Sequence, residues 1–598
     1  MGSTVRAIDY RVNAAQRLAH LFEVTLTIPE PAATQQLSLP VWIPGSYLVR
    51  EFAKHLQQLQ AEQDGQTLAI EQRDKCNWLV TCSPDRPLPL RYQVYAIDNS
   101  VRTAWLDAQR GFFNGTSLCL RVHGQETAPH RLTLSPQGLP RDWQAATALT
   151  PIRASANGFG SYLAADYDEL VDSPVMLGHF WSGSFVADGV PHRFVVDGAT
   201  PAFDGERLLA DTRRICETAI RFWHGKGKKQ RAPQANYLFM LTAVDNGYGG
   251  LEHRNSTALI CKRVDLPRHD QPVQLKAQDG YTTLLGLISH EYFHTWNVKR
   301  LRPVEFTRYD YGGENYTALL WFFEGFTSYY DDLLLRRAGL IDDATYLTLL
   351  AKTITQVLQT PGRRLQSVAK ASWDAWIKYY RPDENTANAT VSYYTKGALV
   401  ALCLDLSLRQ SGRASLDAVM RALWQRCQGG PMREDDLREV LQTLSGESFD
   451  QRLAEWVHGT AELPLEALLT QHGVRWQAAA ASLTERLGLS MVDTNGVQLK
   501  SVWRESAAEQ AGLAAGDEWL GIEVGQGKAA QAWRLNKLDE LPLYLGTATQ
   551  FKALVARDRR LLTLPLTLPS GQGGIELAVQ DAARISSWLD ESQPRIAK

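Results

Sequence analysis

The stretch ISHEYFHTWNVKRLRP, residues 288–303, places three ionisable side chains within an apolar segment. His290, Glu291 and His294 follow a run of leucines and lie among aromatic residues. Burying such groups is costly unless they are paired or bind a metal ion. The segment therefore contains either two unconnected core histidines or a metal site, and the residues around it help to decide between these.

The segment is predicted to form a helix. No proline interrupts residues 284–296, and Thr282 or Thr283 can cap its start. His290 and His294, one turn apart, would then point from one face and bind a single zinc ion through their imidazole nitrogens. The glutamate between them would reach the water that such a site activates.

A catalytic zinc ion needs a third protein ligand and an open fourth position. After the histidines, Pro303 and the glycine pair at 312–313 let the chain turn and return as a second helix. On that helix Glu324, in WFFEGF, is surrounded by aromatic residues, and metal binding would offset the cost of burying its carboxylate. Asp331 and Asp332 are candidates to orient a ligand histidine. Rival carboxylates lie in the polar connection: Glu305, Asp310 and Glu314.

The composition is that of an ordinary globular protein of 598 residues. Its 63 basic and 65 acidic side chains leave a net charge of −2, which gives no sign of a nucleic-acid or membrane partner. No apolar run reaches the roughly 18 residues of a membrane-spanning helix. Seven scattered cysteines and the lack of an export leader predict a cytoplasmic location. Export is the alternative, if residues 1–3 replace a removed signal.

Changes in periodicity predict a multidomain α+β fold. In LFEVTLTI, residues 21–28, apolar and polar residues alternate as in a half-buried strand. From about residue 203 apolar residues recur at helical spacing, until the polar, alanine-rich QHGVRWQAAAASL (471–483) introduces short strand signals. The predicted parts are an N-terminal β domain (1–170), a mostly helical catalytic domain (171–468), a linker (469–482), a β domain (483–570) and a C-terminal extension (571–598).

Further motifs accompany the two histidines and Glu324. Trp296 follows the second histidine by two residues, NGYGGLEH lies at 246–253 and YTKG at 394–397. LPVWIPGSYLVREFAKH lies at 39–55, and SAAEQAGLAAGDEWLGIEV at 506–524 resembles a PDZ domain. Together these motifs resemble the glycyl aminopeptidase family, which consists of PDZ-containing gluzincin zinc metallopeptidases. The tryptophan is typical of the aminopeptidase branch of the gluzincins, NGYGGLEH is similar to their exopeptidase motif, YTKG matches their Y-x-K-G motif, and 39–55 resembles the family's β domain.

The resemblance implies a β-sandwich-like N-terminal domain, a thermolysin-like catalytic domain and a C-terminal PDZ-like domain. It also implies one zinc ion per chain and a preference for substrates that begin with glycine or alanine. Glu252, beside Gly249 and Gly250, would bind the free α-ammonium of a peptide. Glu291 would act as general base, and Tyr394 would stabilise the oxyanion. The histidine that replaces the commoner asparagine after Glu252 has no assigned role.

The C-terminal part contains a second candidate site. Leu487, Gly488 and Leu489 could form a loop whose amides receive the carboxylate of a peptide ligand added as a strand. The alternative is that this part only shapes access to the active site. The predicted function is a zinc aminopeptidase acting on peptides with a free N-terminus. The alternatives are a zinc endopeptidase, another zinc hydrolase, or a PDZ scaffold with a vestigial metal site.

Overall fold

A computed structural model describes residues 6–225, 232–271 and 279–590. The chain forms two compact units, one built mainly from residues up to 316 and the other mainly from residues 342–422 and 434–598. The predicted α+β class is confirmed, with a β-rich N-terminal part and a helical middle part. Residues 1–3, on which the export alternative rests, lie outside the described ranges. None of the described helices is long and apolar enough to cross a membrane.

The N-terminal part of the first unit consists of three sheets that share a hydrophobic core. The alternation over Leu21–Ile28 is confirmed, because every second side chain from Phe22 onward is buried. The eight-stranded sheet has the order Thr150–Ala154, Gly160–Ala164, His130–Ser135, Ile8–Gln16, Leu21–Ile28, Leu88–Tyr95, Leu56–Gln63, Gln66–Leu68. One four-stranded sheet has the order Gln144–Thr147, Val175–Gly178, Arg110–Phe113, Ala104–Leu106. The other has the order Arg121–Val122, Thr34–Ser38, Asn77–Thr81, Ile70–Gln72.

A five-stranded sheet completes the first unit and carries part of the candidate site. Its order is Trp181–Ala187, Val190–Asp197, Tyr237–Val244, Ser256–Lys262, Gly249–Glu252. The apolar strand Tyr237–Val244 lies between two parallel neighbours and is buried along nearly its whole length, as its continuous apolar sequence indicates. Gly249–Glu252 is antiparallel at the edge and contacts the helix Asp279–Phe293. That helix packs on a second one, Gly205–His224.

The middle of the chain is helical, as predicted. Thr395–Gln410 is buried along most of its length, which agrees with its apolar sequence. The other helices from residue 320 to 471 are Leu320–Phe323, Gly325–Arg337, Asp343–Leu358, Val368–Trp373, Thr386–Ala389, Leu416–Arg426, Glu434–Ser445, Asp450–Leu453 and Leu465–Gln471.

The C-terminal part of the second unit contains a sheet with its own core. Its strand order is Leu489–Val492, Val497–Val502, Glu518–Val524, Gln550–Arg557, Arg560–Thr567, with Gln531–Arg534 paired to Glu518–Val524. Short helices lie at Leu483–Leu487, Ala507–Gln510 and Leu541–Leu545, and a final helix spans Ala582–Leu589.

One expectation about this region needs correction. The stretch 469–482 was predicted to be a linker, but Val474–Ala480 forms a strand that pairs with Gln572–Val579. Val474 is fully buried there. The partner strand lies nearly a hundred residues later along the chain, in the predicted extension, so local composition could not reveal the pairing.

Candidate metal centre and active site

The helix Asp279–Phe293 carries the first two candidate ligands. It begins before Thr282, so the prediction that Thr282 or Thr283 caps its start is wrong. His294 lies one residue past its end, yet its N–H still donates to the His290 carbonyl at 3.2 Å. The helical turn therefore continues through both histidines, and their ring centroids lie 4.7 Å apart.

Glu324 joins these histidines in one cluster. Within the described ranges, His290, His294 and Glu324 form the group of ligand-type side chains that could hold a metal ion, with one donor atom from each within 4.8 Å of the others. Glu324 is only 2% exposed and lies between the helices Leu320–Phe323 and Gly325–Arg337. Helical hydrogen bonds continue through this junction. The Glu324 N–H donates to the Leu320 carbonyl, and the Glu324 carbonyl accepts from the Ser328 N–H.

Both histidine rings are held by their Nδ1 atoms. Nδ1 of His290 lies 3.0 Å from Oδ2 of Asp331, and Nδ1 of His294 lies 2.7 Å from the carbonyl oxygen of Asn297. Since these oxygens accept, each Nδ1 carries the proton and each Nε2 keeps a lone pair for a cation. Val298, next to Asn297, has a φ of 109°, a strained value for a β-branched residue. The donor set and its orientation fit a divalent metal ion.

Glu291 lies against the edge strand of the five-stranded sheet. Its side chain is 5% exposed, and a Cβ added to Gly250 would come within 2.1 Å of its Oε1. Only glycine at this position lets the strand backbone pass so close to the carboxylate. Arg102, two residues before the strand Ala104–Leu106, donates from Nη2 to the Gly250 carbonyl at 3.2 Å and so holds the edge strand as well.

Glu252 ends the same strand and is also 5% exposed. The turn that contains Gly45 lies directly against it, since a Cβ added to Gly45 would come within 2.5 Å of Glu252 Oε1. Gly45 has a φ of 92°, which favours glycine. The predicted anchor residue is therefore enclosed by the N-terminal part of the chain.

Tyr394 directly precedes the helix Thr395–Gln410. Burial, together with the negative charge of Glu324, raises the pKa of Tyr394 well above its usual value. Its phenol therefore stays protonated and can donate a hydrogen bond. The rival Tyr393 stacks on it with ring centroids 4.7 Å apart and is fully buried.

Sequence reasoning missed the N-terminal contributions to this region. Gly45 lies within the motif at 39–55, and a glycine directly after Pro44 is a recognisable turn signal. Arg102 carries no local signal at all. Both contact the strand Gly249–Glu252 across about 150 to 200 residues of sequence, so only the fold reveals them.

The predicted C-terminal loop is arranged differently from a free carboxylate-binding loop. Gly488, with a φ of 71°, ends the helix Leu483–Leu487, and its N–H donates to the Thr484 carbonyl at 2.8 Å. The carbonyl of Gly488 accepts from Trp503 N. Leu487 and Leu489 are buried. The amide of Gly488 is thus already bonded within the chain.

Comparison with known proteins agrees with this geometry. The model of the Peptidase M61 N-terminal domain matches residues 9–179, and that of the M61 glycyl aminopeptidase matches residues 283–400. No curated protein matches.

Two solved structures illustrate the similarity. An aminopeptidase N family protein from Idiomarina loihiensis is 36% identical, covers 98% of this chain and 100% of its own, and superposes with a TM-score of 0.91. An M1 zinc metallopeptidase from Deinococcus radiodurans is 17% identical, covers 77% of this chain and 95% of its own, and has a TM-score of 0.47. With the family matches and the first of these relatives, the chain belongs to the M61 glycyl aminopeptidase family and is a metallo-aminopeptidase, a hydrolase of peptide bonds.

Proposed function

We propose that this enzyme is a zinc aminopeptidase that holds one zinc ion through His290, His294 and Glu324. The observation that carries the proposal is the convergence of these three donors within 4.8 Å, with both Nδ1 atoms already bonded elsewhere. Two imidazoles and one carboxylate are a common ligand set for catalytic zinc. When bound, zinc would polarise the scissile carbonyl and lower the pKa of water toward about 7.

The proton transfers fall to Glu291. Its carboxylate accepts a proton from the attacking water and passes that proton to the leaving amine, so that water and peptide become a free amino acid and a shortened peptide. The contact with Gly250 keeps the carboxylate beside the edge strand. Tyr394, which stays protonated, donates a hydrogen bond from its hydroxyl to the developing oxyanion.

The enzyme recognises the amino end through Glu252. A buried carboxylate needs a cation, and the α-ammonium of a peptide would supply one. The turn at Gly45 closes one side of Glu252. This closure supports the binding of a peptide whose first residue lies at Glu252. The close approach of that turn also supports the preference for glycine and alanine that the family resemblance implies.

The part at 483–570 is proposed to be a PDZ-like module. Its support is the sheet with interspersed short helices and a core of its own. Asn388 Nδ2 donates to Val502 O at 2.9 Å, so the module contacts the polypeptide a few residues before Tyr394. That contact favours a role in supporting the catalytic part, since the Gly488 amide is already bonded.

The variant Glu291→Gln tests the proposal. It should retain zinc, measured by elemental analysis, while kcat on an alanyl anilide falls by about 10² to 10⁴ because the base is lost. The matched control is Glu305→Gln, an exposed glutamate in the connection after the metal-binding helix, which should keep full activity. Substantial turnover by Glu291→Gln, or equal cleavage of free and N-acetylated peptides by the wild type, would overturn the proposal.

A further inference from the structure

Asp172, which follows the helix Tyr167–Val171, binds three groups at once. Its Oδ1 accepts from Lys299 Nζ at 2.8 Å and lies 3.1 Å from His253 Nδ1. Its Oδ2 accepts from the Arg254 backbone N–H at 2.9 Å. No motif singles out this aspartate, and the reaction described above does not use it.

The partners of Asp172 belong to the two segments that build the active site. His253 directly follows Glu252, the proposed amine anchor. Lys299 lies just after the metal-binding helix, and its backbone N–H donates to the His294 carbonyl at 3.1 Å. Asp172 therefore links the anchor strand to the segment that follows the two histidines.

Lys299 is the cation of this arrangement. Its side chain is only 6% exposed, so it needs a carboxylate partner. Burial opposes its charge, but Asp172, Tyr309 and Glu252 together raise the pKa of Lys299 above its usual value. The carboxylates of Asp172 and Glu252 therefore both stabilise the charged ammonium, and its direct ion pair is with Asp172.

Asp172 is charged as well. Although burial raises the pKa of this carboxyl, Lys299 and His253 hold it well below its usual range. A pocket of about 350 Å³, lined by Asp172, Lys299 and Tyr309 among others, adjoins the ion pair. Pro44 also lines this pocket, and its neighbour Gly45 lies against Glu252, so open space extends from the Lys299 ammonium toward the turn beside the anchor.

We propose that Asp172 is a positioning residue for the aminopeptidase reaction, which holds the Lys299 ammonium away from Glu252 so that this carboxylate stays available for the α-ammonium of the substrate. The proposal rests on the proposed function, because it requires Glu252 to be the anchor. Without Asp172, Lys299 would pair with Glu252 and compete with the substrate at high effective concentration, as any tethered ligand does.

The test uses steady-state kinetics of the full-length zinc enzyme on an alanyl anilide. Asp172→Asn should raise KM about tenfold and leave kcat within about twofold, because Asp172 touches no reacting atom. Adding Lys299→Met to this variant removes the competing cation and should return KM to within about threefold of the wild type. A purely structural role for Asp172 predicts no such rescue.

Two outcomes would overturn the proposal. One is an unchanged KM in Asp172→Asn, and the other is a double variant as impaired as the single one. If Asp172→Asn alone does not fold, the KM of the double variant is compared directly with that of the wild type. The proposal then predicts similar values, because the double variant has no ammonium at position 299 that could pair with Glu252.

Glu252→Gln in the same assay separates this inference from the proposed function. If Glu252→Gln leaves KM unchanged, the anchor assignment fails and the role of Asp172 fails with it. If Glu252→Gln raises KM while Asp172→Asn does not, only the role of Asp172 is refuted.

Discussion

At the scale of single residues, the candidate ligands could be identified from sequence, but the groups that hold them could not. His290 and His294 are separated by one helical turn, and the glutamate of WFFEGF is conspicuous among aromatic residues. Asp331 was named as a candidate to orient a histidine, and its bond to His290 Nδ1 confirms this. The carbonyl of Asn297 has no side-chain signal, since any residue supplies a carbonyl.

Tyr394→Phe tests the proposed oxyanion donor. Removing the hydroxyl should lower kcat by about 10² to 10³, which corresponds to about 2.7 to 4 kcal/mol of barrier, while zinc content stays unchanged. Tyr393→Phe is the matched control, because it removes the hydroxyl of the tyrosine that stacks on Tyr394. The assignment would be wrong if the two variants lost activity equally.

At the scale of elements, the Y-x-K-G motif has a packing reason as well as a chemical one. A Cβ on Gly397 would come within 2.6 Å of the Trp321 carbonyl oxygen and 3.0 Å of Gly325 Cα. The helix that begins after Tyr394 therefore passes directly against the segment that carries Glu324. The sequence shows the motif, but it does not show that the backbone of Trp321 and Gly325 packs against Gly397.

Gly397→Ala should disturb this close approach. Overpacking of this kind costs about 1 to 3 kcal/mol, so the free energy of unfolding should fall by that amount in chemical denaturation, and activity should fall with it. Gly313→Ala is the control, since the nearest atom to its added Cβ is 3.9 Å away. A Gly397→Ala variant as stable and active as the control would show that the two segments do not need this contact.

Element boundaries were less predictable than element types. The helix that carries His290 includes residues from Asp279 onward, upstream of the two threonines, so neither of them caps it. The polar, alanine-rich composition of residues 469–482 predicts a linker, whereas the strand Val474–Ala480 within it is stabilised by a distant partner, Gln572–Val579. Local propensity cannot report such tertiary pairing.

At the scale of the whole molecule, the C-terminal helix is part of the second unit's core. Trp588 is fully buried, and its Nε1 donates to the Tyr329 hydroxyl at 3.1 Å. That hydroxyl donates in turn to Asp405 Oδ2 at 2.7 Å, within the helix that follows Tyr394. The helix Ala582–Leu589 thereby supports the residues after Glu324, a role that the predicted C-terminal extension did not include.

Trp588→Ala should therefore destabilise the protein well away from the site. Truncating a buried tryptophan to alanine typically lowers the free energy of unfolding by about 3 to 5 kcal/mol, which calorimetry or chemical denaturation would detect. Trp533→Ala provides the comparison, because that side chain is 43% exposed and its loss should cost far less. Equal stabilities for the two variants would contradict the role assigned to the C-terminal helix.

In the proposed active site, two imidazoles and one distant carboxylate hold a single zinc ion. Anomalous diffraction from crystals of the purified enzyme, recorded on both sides of the zinc absorption edge, locates that ion. One zinc peak per chain is expected, about 2.0 to 2.2 Å from a nitrogen of His290, a nitrogen of His294 and a carboxylate oxygen of Glu324. A zinc-loaded crystal whose anomalous peak lay on other residues, with Glu324 turned away from both rings, would show that this ligand set is wrong.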